Sequence, residues 1–98
     1  IAPVILVFLP NAFTPNGDGL NDVFLPKGYF KGIESYNMTI WNRWGEKIFE
    51  TDDPLVGWRG TKNNEDSVCP PGVYIYRLNY LTPRLENVLK EGQVTLIR

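Results

Sequence analysis

Between Pro10 and Phe24 the chain reads "PNAFTPNGDGLNDVF", a run dense in oxygen-bearing side chains and punctuated by glycine. Such a run can hold calcium, which takes about six to eight oxygens from alternate loop positions around a sharp glycine turn. Setting Gly19 at that turn places Thr14, Asn16 and Asp18 at alternate ligand positions. The Leu20 carbonyl and Asp22 follow in order, so Asn16, Asp18, Leu20 and Asp22 are the candidate calcium ligands. Thr14 stands where an acid is usual, and Leu25 where a glutamate would close the site, so the match is partial. A plain turn uses the same residues differently. Asn16-Gly17 and Asp18-Gly19 then supply left-handed backbone, and Asn21 and Asp22 bond nearby amides.

Other chemistry is sparse. With no histidine, the chain can hold neither a histidine-based catalytic triad nor an imidazole-ligated metal. The single cysteine, Cys69, excludes an internal disulfide and a multi-cysteine metal site, and it reads as an ordinary loop thiol. Glycosidase chemistry needs two carboxyls facing each other across about 5–10 Å. Asp52 and Asp53 are neighbours that point apart on a strand, and Glu46 and Glu50 flank an exposed hairpin. Catalysis is therefore not expected. Trp41, Trp44 and Trp58 with five tyrosines would suit a sugar-stacking platform. Side chains that each bury about 150–250 Å² are more simply core material in a small fold. Trp44, in a turn beside Arg43, is the aromatic expected outside.

Those residues must be carried by something small. Ninety-eight residues make about one domain, and 43% apolar with 21% charged residues is an ordinary globular balance. Ten basic against eleven acidic residues leave no basic field, so nucleic acid is not an expected partner. The longest apolar run, residues 4–9, is far short of the roughly 20 residues that cross a bilayer, and it lacks the flanks of a secretory signal. Targeting information is therefore expected elsewhere in a longer parent, or already removed. No direct membrane insertion and a monomeric state are expected.

Eight prolines and nine glycines break every potential long helix. Between them lie short segments rich in β-branched and aromatic residues. Strands are expected at 4–9, 20–25, 36–42, 47–51, 73–81 and 88–98, with a hairpin at Arg43-Trp44-Gly45-Glu46 and a bulge or bend at Gly92. A helical turn fits residues 27–35. Tyr74, Tyr76 and Leu78 share the face expected to point inward. Residues 62–71 read as a polar loop that ends in two stiff prolines. The fold class is all-β, an antiparallel β-sandwich of about seven strands.

Five motifs in order carry a family resemblance: "LPNAFTPNGDGLNDVF", "IWNRWGEKIFE", "GWRG", "PPGVYIYRLNY" and "EGQVTLIR". Together they resemble the gliding motility-associated C-terminal domain, the type B C-terminal sorting domain of the type IX secretion system. In "GWRG", Arg59 stands where the family usually has aspartate. Residues 58–78 are also similar to the immunoglobulin-like domain of flagellar hook-capping proteins, which implies an immunoglobulin-like sandwich.

The resemblance implies a single non-catalytic sorting domain, residues 1–98, at the C-terminal end of a larger exported protein such as an adhesin or surface enzyme. It implies passage through the periplasm to the cell surface or medium. The implied partners are an outer-membrane type IX translocon or shuttle protein and a PorP/SprF-like partner. Recognition would fall on the loop residues Asn16, Gly17, Asp18, Gly19, Asn21 and Asp22, on the turn residues Asn42, Arg43, Trp44 and Gly45, and on Arg98 at the end of the final strand, whose edge over residues 93–98 would accept a receptor strand. Calcium in the first loop would be secondary. The competing reading is an extracellular carbohydrate-binding or adhesion module.

Overall fold

A computed structural model describes residues 7–15, 22–28, 33–65, 67–82 and 86–97. They form seven strands: β1 (Val7–Phe8), β2 (Ala12–Phe13), β3 (Lys27–Gly28), β4 (Glu34–Trp41), β5 (Lys47–Thr51), β6 (Gly72–Leu81) and β7 (Asn87–Leu96). The all-β expectation holds. The strands divide into a two-stranded sheet, β1-β3, and a five-stranded sheet ordered β2-β7-β6-β4-β5.

The large sheet grows from local hairpins. β4 pairs antiparallel with β5 and with β6, and β6 with β7 over ten successive residue pairs. Alternation along β6 then sorts the side chains. Tyr74, Leu78 and Tyr80 are buried on one face, while Val73, Ile75 and Arg77 are exposed on the other. Residues directly opposite share a face, so Met38 and Ile40 of β4 and Val94 of β7 join the buried side.

That inner face is closed by Phe13 of β2 and by Phe24 and Trp58, which arrive from outside the large sheet. Phe13, Phe24 and Trp58 are all essentially inaccessible to solvent. The Trp58 ring lies 5.1 Å from Phe13 and packs edge-on to Tyr74 at 4.9 Å. Its indole N–H donates to the Thr61 carbonyl at 2.8 Å, which satisfies its one polar atom in an apolar setting. Phe24 and Trp58 also exchange two backbone hydrogen bonds, at 2.8 and 3.0 Å. On the outer face the Arg77 guanidinium lies 5.5 Å from the Trp41 ring and contacts Glu91 at 3.5 Å.

Several expectations need correction. The sheet is not wholly antiparallel: β2, read from sequence as loop, runs parallel to β7, with Ala12 opposite Thr95 and Phe13 opposite Leu96. The expected strand at 20–25 reduces, among described residues, to the isolated Phe24–Trp58 bridge. Lys27 and Gly28, expected in a helical turn, are strand and pair with β1. Gly92 is no bulge, because register with β6 is unbroken there. It answers a close approach instead: a Cβ at Gly92 would meet the Tyr76 hydroxyl at 2.6 Å. The stretch 93–98 is not a free terminal edge, since β2 occupies it at Thr95 and Leu96.

Candidate recognition surface

The connection between β4 and β5 is organised by one carboxamide. Asn42 Oδ1 accepts the backbone N–H of Trp44 at 3.0 Å and that of Glu46 at 2.9 Å. Its Nδ2 donates to Glu46 Oε1 at 3.0 Å. Two backbone bonds close the turn, Asn42 N–H to the Glu46 carbonyl at 2.9 Å and Gly45 N–H to the Asn42 carbonyl at 3.1 Å. Gly45 has φ +86°, a left-handed conformation that a side chain would strain. Asparagine and glycine at these two places are what the turn chemistry requires.

A turn held this way projects Trp44 outward, 74% exposed. The Arg43 guanidinium lies 4.6 Å from the centre of that ring. Glu46 ties the hairpin to a 3-10 turn at Lys62–Asn64 through an ion pair with Lys62 at 3.1 Å.

Beside Trp44 the 68–72 segment enters β6. Val68 and Pro70 are exposed, whereas Cys69 between them is buried in the core and not an accessible loop thiol. Between this segment and the turn lies a groove of about 330 Å³, lined by Trp44, Ile48, Val68, Pro70 and Tyr74. A smaller hollow of about 90 Å³ continues along Arg43, Pro71 and Val73. The Tyr74 hydroxyl donates to the Pro70 carbonyl at 2.6 Å and holds the proline wall against the sheet. The surface is apolar and aromatic, edged by Arg43 and the Glu46–Lys62 pair. Contact area and stacking are what such a surface offers.

Expected site residues fall into three groups. Asn42, Arg43, Trp44 and Gly45 sit together at this surface. Asp22 is half-buried, two residues before the core residue Phe24. Asn16, Gly17, Asp18, Gly19, Leu20, Asn21 and Arg98 lie outside the described residues. The groove wall at 68–71 was missed, although two consecutive prolines before a strand were its signal. An aromatic platform does not form from Trp58, Tyr36, Tyr74 and Tyr80, because all four are in the core.

The acids take other roles. Glu50 accepts from Asn37 and Lys47, each at 3.0 Å, and the Asn37 bond first, then Lys47, holds its carboxyl below the usual range. Asp53 accepts the Leu55 N–H at 2.9 Å in a turn. Among the described residues no three His, Cys, Asp or Glu side chains gather to hold a metal ion. No described helix is long and apolar enough to cross a membrane.

These features define a small β domain that presents a rigid aromatic turn. The sequence profile of the CHU_C Type IX secretion signal domain matches residues 7–96, and the chain belongs to that family. Its role is that of a C-terminal sorting signal, recognised by the secretion machinery and implying export to the cell surface or medium. No curated protein matches the chain.

Proposed function

We propose that the 42–46 turn and its adjoining groove are the surface by which the type IX machinery reads this signal. The observation that carries the reading is Trp44, 74% exposed on a turn that Asn42 pins by both of its carboxamide atoms. A large exposed aromatic is costly to keep in water and typical of binding hot spots. A turn already fixed loses little conformational entropy when it docks.

The receptors are an outer-membrane translocon or shuttle protein and a PorP/SprF-like partner. The cargo is a large exported protein, of adhesin or surface-enzyme type, delivered through the periplasm. The domain itself acts by being recognised and carries out no catalysis.

The test is a fluorescent cargo that bears an inner-membrane export signal and residues 1–98, expressed in a bacterium with a type IX system. Translocon-dependent release or display is expected for the parent fusion. Trp44→Ala and Arg43→Ala should each hold cargo in the periplasm while the domain remains folded. Normal export of both folded variants would overturn the assignment of this surface.

A further inference from the structure

We infer that the edge of β7 between Leu89 and Gln93 is a docking site for an extended segment of a partner protein, which adds to the sheet as a strand. The inference rests on the chain acting as a secretion signal, and not on which surface Trp44 contacts.

The direction of the backbone groups follows from two bonds. Thr95 N–H donates to the Asn11 carbonyl at 2.9 Å and Ile97 N–H to the Phe13 carbonyl at 3.0 Å. Odd-numbered residues of β7 therefore turn their N–H and C=O groups away from β6 and toward β2. By the same alternation Leu89, Glu91 and Gln93 present theirs to that side. There β2 covers only Thr95 and Leu96. Asn11 and Phe13 are the residues turned toward β7, so the ladder would continue at Leu9, and there the chain departs to pair β1 with β3. Among the described residues no strand lies alongside 89–93.

Natural sheets blunt such edges with bulges, prolines, very short strands or charges. Of these devices β7 carries only the charges, Lys90 and Glu91. It keeps unbroken register with β6 over ten pairs and contains no proline. The edge is thus straight and already shown to pair, by the two residues of β2 that use it.

The side chains along it describe the partner strand. Gly92 lies under the half-buried Tyr76 ring, so an incoming residue opposite Gly92 meets an aromatic surface with no intervening side chain. An apolar residue suits that place. On the outer face Glu91, bridged to Arg77, favours a neutral or basic residue opposite. A second copy is a poor occupant. The two-fold registers that would pair the open stretch centre on Lys90 or Glu91 and set each opposite its own like charge.

Proline provides the test, because at an outward-pointing position it removes an edge donor without touching the β6 ladder. Leu89→Pro and Gln93→Pro are introduced singly into the fluorescent cargo fusion, with folding checked by circular dichroism. Export should fall to the level of a cargo without a signal, although the purified domains stay folded. In parallel, the photo-crosslinking residue p-benzoylphenylalanine replaces the exposed Gln93 in the otherwise parental fusion. It should yield an adduct with a secretion component through an extended segment of that component, as mapped by peptide mass spectrometry. Normal export of the folded proline variants, no adduct, or an adduct only between two copies of the chain would overturn the inference. Failure of the parental fusion to be exported would instead strike at the signal reading itself.

Discussion

Asn42 accepts the backbone N–H of Trp44 at 3.0 Å, so the most exposed tryptophan of the protein is held by a neighbour two residues earlier. Stability and recognition are therefore separable at this turn. Asn42→Ala removes three hydrogen bonds and should cost about 1–2 kcal/mol in urea unfolding, because each exposed bond contributes modestly. Trp44→Ala should change stability by no more than about 0.5 kcal/mol, as expected for an exposed side chain, yet reduce export of a fused cargo. Equal loss of stability in the two variants would contradict this separation.

A Cβ at Gly92 would meet the outer end of the half-buried Tyr76 side chain, which must swing aside to make room. Gly92→Ala should therefore destabilise by about 1 kcal/mol, the low end of the cost of overpacking. Adding Tyr76→Leu should restore part of that loss, since the double variant removes the ring the new methyl would strike. Urea midpoints of the four proteins in the cycle measure the coupling.

Trp58 closes the inner face of the large sheet. Trp58→Phe should cost about 1–3 kcal/mol, because it leaves the Thr61 carbonyl without its donor. Trp58→Ala should cost about 3–5 kcal/mol, the range for emptying a fully buried aromatic site. A domain of this size has little stability in reserve, so the alanine variant should be largely unfolded at 37 °C by circular dichroism, roughly body temperature.

Two groups set the pH limits. Burial first, and then the Asp53 charge, push the Tyr36 phenol well above its ordinary 10.0. A raised folded value means that the contribution is complete below pH 10.0 and is lost as pH rises past it. Tyr36→Phe should flatten the decline in urea midpoint between about pH 10 and about pH 12, while Tyr80, raised by burial, keeps part of the slope. Glu50 has the opposite sign. Its depressed value gives a contribution present above 4.5 and lost as pH falls through the folded value. Asn37→Ala should move the Glu50 titration, followed by NMR, back toward 4.5.

Much of this architecture was legible in residue order, because it follows from short-range rules. Alternation located β5 to the residue, and β4, β6 and β7 to within two residues at each end. Asparagine followed three residues later by glycine marked the 42–46 turn, and the position of Trp44 inside it foretold its exposure. The missing histidines and the single cysteine settled the excluded chemistries before any fold was considered. Five motifs in order pointed to the secretion-signal family that the profile match shows.

What sequence could not disclose depends on contacts between distant segments. Nothing near Ala12 indicates that it lies parallel to Thr95, some eighty residues away, since a two-residue strand has no period to read. Gly92 looked like a bend because a glycine in a strand has several causes, and only the Tyr76 ring across the sheet distinguishes them. The groove likewise required the prolines of one loop to meet the tryptophan of another. Local propensity determined the strands and the turn; contacts between distant segments decided that β2 joins β7 and that Trp44 and the 68–71 segment line one groove.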